Sequence, residues 1–160
     1  MSESRIEARI RELGYELPEV AAPVAAYVPA IVSGSYVYTS GQLPFTQGAL
    51  PETGKVSDNG QDGYVSPENA KKYAAVSVLN ALAAVKSVIG DLDRIKQVVK
   101  VVGFVSSDPA FTAQPAVING ASELLGEIFG EAGQHARSAV GVPVLPLDSP
   151  VEVEIIVEFA

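Results

Sequence analysis

The chain has 160 residues, enough for one domain with a sizeable core, and its 48% hydrophobic and 19% charged residues read as an ordinary globular protein. It has no cysteine and one histidine, which excludes a disulfide framework and thiol catalysis and leaves little for a transition-metal site. A net charge of −8 with eleven scattered basic residues argues against nucleic acid as a partner, and no run reads as a membrane span because the candidate helices look amphipathic.

The N-terminus, Met1-Ser-Glu-Ser-Arg-Ile-Glu-Ala-Arg, alternates charges and lacks an apolar stretch, so it does not read as a signal peptide. Together with the absence of cysteine this fits a cytoplasmic protein. A first helix is predicted over about Ser4 to Leu13. Ile6, Ile10 and Leu13 recur at helical spacing, Ser2 or Ser4 can cap it, and Gly14 can end it. Pro18 and Pro23 then force an extended passage. Tyr27 to Val32 and Tyr36 to Ser40 read as two strands joined by a hairpin at Ser33-Gly34-Ser35.

From Leu43 to Tyr64 the pattern is that of a loop, punctuated by Pro44, Gly48, Pro51, Gly54, Gly60 and Gly63. A loop of this length in a compact domain is functional or mobile. Ser66-Pro67-Glu68 opens the best helix of the chain, with a capping Ser, Pro at the first helical position and Glu against the dipole. Its apolar stripe is Ala70, Tyr73, Ala74, Val78, Ala81, Leu82, Val85, Val88 and Ile89, and Gly90 ends it. Val98 to Val105 reads as a strand buried on at least one face. Pro115 starts a further helix, with Val117, Ala121, Leu124, Leu125, Ile128 and Phe129 inward and Gly130 at its end. Arg137 to Val144 and Val151 to Phe159 are the last strands. The order, an extra N-terminal helix followed by ββαβαββ, suggests one α+β domain over residues 1–160. Residues 1–20 form its helical extension, and two helices cover one face of a mixed sheet. The other face is left over, and a subunit interface is the simplest cover.

After Lys100 the chain contains one cationic side chain, Arg137, inside an apolar strand-like run. Such a group is expensive to bury unless an anion meets it, and its planar fork suits a carboxylate. Glu152, Glu154 or Glu158 of the last strand supplies that anion, or a ligand does. These three share parity on the strand, so they could simply form its solvated face, with Val151, Val153, Ile155, Val157 and Phe159 toward the core.

Several segments resemble the Rid/YjgF family of reactive-intermediate deaminases, also described as L-PSP endoribonucleases. They are Tyr27-Val-Pro-Ala-Ile-Val, Val37-Tyr-Thr-Ser-Gly-Gln-Leu-Pro44, Ala136-Arg-Ser-Ala-Val and Leu145-Pro followed by Val151-Glu-Val-Glu154. The resemblance runs from about Tyr27 to the C-terminus. It implies a chorismate-mutase-like fold and a homotrimer with ligand clefts between adjacent subunits. It also implies hydrolysis of enamines and imines such as 2-aminoacrylate to 2-keto acids and ammonia, without metal or organic cofactor. The family's carboxylate-binding Arg matches Arg137, and its acidic residue, which positions or activates water, matches Glu152. Its Ser-Gly turn matches Ser40-Gly41, its strand Tyr matches Tyr27 and its helix Asn matches Asn119. A backbone N–H near Ala139 or Gly41 could support developing charge.

The sequence departs from the family where an aromatic becomes Ser122 and a small thiol residue becomes Ala139. The 43–64 loop is longer, and the N-terminal helix is additional. Each matched residue also has a plainer explanation. Tyr27 could be a packed strand residue, Ser40-Gly41 a strand end, Asn119 an exposed helix residue and His135 a turn residue that the family does not need. The leading expectation is a trimer that binds small 2-imino or 2-keto acids and deaminates them. The alternatives are a non-catalytic binding protein with the same cleft, an endoribonuclease, which the acidity opposes, and a chorismate mutase, which rests on fold analogy alone.

Overall fold

A computed structural model describes residues 3–23 and 25–160. Five strands, β1 (Ala30–Ser33), β2 (Tyr36–Thr39), β3 (Ile95–Ser106), β4 (Ala136–Val142) and β5 (Val151–Phe159), form one mixed sheet in the order β1-β2-β5-β3-β4. Only β3 and β4 run parallel; the other pairs are antiparallel. Helices α2 (Pro67–Ile89) and α3 (Gln114–Phe129) pack on one face, as expected from ββαβαββ, and the additional helix α1 (Arg5–Glu12) abuts α3 and the turn before β3.

Capping chemistry sets the helix starts. Ser4 caps α1 by accepting from Glu7 N, and Ser66 caps α2 by accepting from Asn69 N. Ser2, the alternative cap for α1, lies outside the described residues. A second device holds α1 down. The Asp93 carboxylate accepts from the backbone N–H groups of Arg5 and Ile6, both at 2.9 Å, and from the Ser4 hydroxyl at 2.8 Å. Burial alone would raise the Asp93 pKa, but these three hydrogen bonds, with the nearby Arg5 charge, bring it below the ordinary value.

Four features differ from the sequence pattern. The first strand begins at Ala30, so Tyr27 sits in a bend before it, and the hydrogen bond from Tyr27 N to Ala25 O belongs to that bend. β3 starts three residues earlier than expected and carries two irregularities, between Ile95 and Gln97 and between Val98 and Lys100. β4 stops at Val142, since Pro143 has no N–H for the ladder. Helix α2 is more than amphipathic. Ala75, Ser77, Leu79, Asn80 and Ala83, off the expected stripe, are buried, whereas Val88 on that stripe is 40% exposed. By length and composition α2 could cross a membrane, but 67% of its most apolar stretch is buried in the fold.

The 43–64 segment accounts for much of that burial. Asn80, inside α2, donates from Nδ2 to Leu43 O at 3.1 Å and to Phe45 O at 3.2 Å. Val56 and Val65 are fully buried. Val56 N donates to Ser106 O and Asp108 N to Val56 O, while Ser57 Oγ donates to Asp108 Oδ2. Gly54 N bonds Asp148 O, and Lys55 Nζ reaches Pro143 O. The segment is stitched to the C-terminal ends of β3 and β4, so its length reflects a structural strap.

The sheet register separates two faces. Val37, Val98, Val101, Val105, Val151, Val153, Ile155 and Val157 are buried against the helices. On the other face Ile31 lies opposite Tyr38, Tyr38 opposite Ile156, and Ile156 opposite Lys100. Ile31 is 59% exposed there. Glu152, Glu154 and Glu158 share this second face, as their parity predicts.

Candidate functional site

Arg137 is on β4, opposite Val101, and Val101 is opposite Ile155. That row faces the helices, so the guanidinium points toward α3. Nη1 donates to Asn119 Oδ1 at 2.7 Å and to Ser122 Oγ at 3.3 Å. The two acceptors lie three residues apart on α3 and share a side of the helix. Gly120 between them is what lets α3 approach: a Cβ there would stand 1.9 Å from Lys71 O of α2. Both hydrogens of Nη1 are thus engaged by neutral oxygens. Nε and Nη2 have no hydrogen-bond partner among the described residues, and no carboxylate lies within ion-pair distance of Arg137. Of the two alternatives for its anion, the pairing with a glutamate of the last strand does not form within one chain. Parity is the reason: those glutamates face away from the helices.

Ser122 continues the network. Its Oγ is 2.8 Å from His135 Nε2, and His135 Nδ1 is 2.6 Å from Gly133 O. His135 had the pattern of a turn residue and Ser122 that of a departure from the family; the structure joins both to Arg137. The signal available in the sequence was spacing, since 119 and 122 are one helical turn apart and 135 and 137 share parity at a strand start. Ala139 follows Arg137 on the same face of β4, opposite Gly103, and packs against the core.

The second group lies on β5 and β2. Between the pairs Tyr38–Ile156 and Gln42–Val153 the β2 side has three residues where β5 has two, so the chain bulges at Ser40-Gly41. Ser40 Oγ donates to Val28 O at 2.6 Å and Ser40 N to Pro29 O, which ties the Tyr27 bend to the end of β2. Gly41 backs directly onto Glu152: an added Cβ would meet Glu152 Oε2 at 2.3 Å. Burial pushes the Glu152 pKa up, and the Glu154 carboxylate on the same face adds to it. No cation neutralises Glu152 among the described residues.

The seven expected site residues therefore form two clusters. Arg137, Asn119 and Ala139 gather at the α3–β4 edge, and Tyr27, Ser40, Gly41 and Glu152 at the β2–β5 bulge. Phe104 pairs with both Val140 and Glu152. From this register the Cα atoms of Arg137 and Glu152 are on the order of 14 Å apart, two strand spacings across and three residues along. Their side chains leave opposite faces of the sheet. Within one chain they do not meet.

Comparison with known proteins agrees with the fold. Residues 7–159 match the family described as "YjgF/chorismate mutase-like, putative endoribonuclease". Protein TCP17 of Trypanosoma cruzi is 39% identical over 99% of this chain and 96% of its own length. The crystal structure of Atu1372 from Agrobacterium tumefaciens, a protein of unknown function, is 43% identical with a TM-score of 0.88, covering 98% of this chain and 93% of that one. A protein described as "a putative endoribonuclease" from Shewanella oneidensis is 37% identical with a TM-score of 0.89, covering 96% and 99%. On sequence over almost its whole length, and on fold, the chain belongs to the YjgF/Rid family.

Proposed function

We propose that this protein is a cytoplasmic homotrimer that binds small 2-imino or 2-keto acids in clefts between subunits, and that it hydrolyses enamines and imines such as 2-aminoacrylate. One observation carries the proposal. Among the described residues, oxygens engage a single nitrogen of Arg137 and leave the Nε–Nη2 edge. That edge can grip a carboxylate with two parallel hydrogen bonds. A half-buried guanidinium with no anionic partner among the described residues is costly unless it serves such a ligand.

The separation of the two clusters supports a cleft between copies. Arg137 of one subunit would fix the carboxylate, and Glu152 of its neighbour would hold the attacking water and take its proton. A raised carboxyl pKa suits that role. Gly41 leaves room for the Glu152 carboxylate, and Tyr27 and Ser40 would line the same wall. A backbone N–H near Ala139 or Gly41 would meet the charge that develops. A non-catalytic binding protein is the second reading. It is favoured by Ser122, which occupies an aromatic position of the family and engages Arg137, and it needs only the Arg137 half.

Calorimetric titration of pyruvate and 2-ketobutyrate, beside turnover of freshly generated 2-aminoacrylate, tests both readings. Arg137→Lys keeps the charge but loses the fork, so binding is expected to weaken by about 1–3 kcal/mol. Glu152→Gln is expected to abolish turnover and retain binding. Binding without turnover in the wild type leaves the second reading, and no binding by any small 2-keto acid removes both.

A further inference from the structure

We propose that His135 is a positioning residue: acting through Ser122, it orients the Arg137 guanidinium so that its Nε–Nη2 edge faces the carboxylate of the ligand. The identity of that ligand rests on the functional reading above; the positioning does not.

The hydrogen-bond roles can be assigned in sequence. Gly133 O is a carbonyl and only accepts, so His135 Nδ1 carries the proton across the 2.6 Å contact. In the neutral ring Nε2 is then an acceptor, and the Ser122 hydroxyl donates to it at 2.8 Å. A serine inside a helix ordinarily turns its hydroxyl back to the carbonyl one turn earlier. His135 offers a better acceptor in another direction and so holds the Ser122 side chain toward β4. With its proton committed to the imidazole, Ser122 Oγ presents lone pairs to Arg137 Nη1. Asn119 Oδ1 takes the other hydrogen of that nitrogen.

Two acceptors on Nη1 fix the plane of the guanidinium, where one would leave it free to rotate. The base of this relay is rigid. Gly133 is buried, and a Cβ there would come within 2.4 Å of Leu125 O, so the turn that supplies the anchoring carbonyl lies directly on α3. The chain runs Gly133 O, His135, Ser122, Arg137, and each link constrains the next.

Ser122→Ala, His135→Phe and the double variant test the relay, with pyruvate as the titrant. Each single change is expected to weaken binding about tenfold, the scale of one hydrogen bond. The double variant is expected to be no weaker than the worse single, because both act through one contact. His135→Gln, whose amide can accept from Ser122 and donate to Gly133 O, is expected to recover part of the loss. In an Arg137→Lys background, His135→Phe is expected to leave binding unchanged. Lower melting temperatures with unchanged binding, or strictly additive losses, would overturn the proposal.

If wild-type protein does not bind pyruvate, the functional reading falls and the relay is judged on the side chains themselves. Because the chain has one histidine, the imidazole signals of its nitrogen-15 spectrum report His135 alone. The Nδ1–H tautomer at mildly alkaline pH, with an ordered Arg137 Nε–H that becomes disordered in His135→Phe, supports the relay. The opposite tautomer, or an Arg137 signal indifferent to the substitution, overturns it.

Discussion

Gly41 leaves space for one carboxylate, and no cation among the described residues neutralises it. The consequence for stability has a definite sign. Glu152 titrates above its ordinary value of 4.5 in the folded chain, because burial and then Glu154 disfavour the charge. The folded state therefore holds its proton to higher pH than the unfolded state does. The resulting destabilisation is absent below that ordinary value, grows as pH rises through the window above it, and is complete once the folded carboxyl has ionised. Glu152→Gln should raise the melting temperature at neutral pH and leave it nearly unchanged in mild acid. Melting curves of the two proteins across this range check it; a neutral-pH loss of stability would mean that the carboxylate has a cation partner in the assembled protein.

At the scale of elements, two contacts decide where the helices sit. Gly120 allows α2 and α3 to meet backbone to backbone, and Lys71 O cannot yield as a side chain would. Gly120→Ala should destabilise the protein by about 1–3 kcal/mol, the range for overpacking, despite the better helix propensity of Ala. It should also displace Asn119 and Ser122 from Arg137, so denaturant unfolding and ligand titration should both register it. Asp93 performs the corresponding task for α1. Its three acceptor contacts are lost in Asp93→Ala, at a cost of about 1–2 kcal/mol. Its folded pKa is depressed, so this contribution is present above the unfolded value and fades as pH falls below about 4. Amide exchange in residues 5–12 should accelerate in the variant at neutral pH, and the difference should shrink in acid.

At the scale of the molecule, the helices cover one face of the sheet and leave Ile31, Tyr36 and Tyr38 exposed on or beside the other. Exposed apolar groups on a sheet face whose opposite side is covered by helices suit an interface between copies. The proposed trimer should appear as a single species of three times the chain mass in light scattering. Tyr38→Glu, with a charge between Ile31 and Ile156 on that face, should dissociate it and abolish 2-keto acid binding together with assembly, although Tyr38 belongs to neither cluster. A wild-type monomer at micromolar concentration would remove the shared cleft.

Element order, helix caps and strand parity were legible from the residues, because each depends on short-range rules. Ser66-Pro67-Glu68 carries its own helix-start signal, and alternation assigns Glu152 and Glu154 to one face of β5. The sequence also singled out Arg137 as the one cation of the last sixty residues and Glu152 as a candidate partner. Their relation could not be read, since it depends on register across three strands, and the register puts them on opposite faces. The role of the 43–64 segment was hidden for a related reason: its anchors, Ser106, Asp108, Pro143 and Asp148, are remote in the chain. The Ser122–His135 contact was hidden too, since a hydrogen bond of 2.8 Å between a helix and the approach to a strand is set by packing and not by local pattern. Local chemistry set which groups this protein carries; tertiary packing decided that Arg137 meets neutral oxygens on one nitrogen, with its Nε–Nη2 edge unpartnered among the described residues.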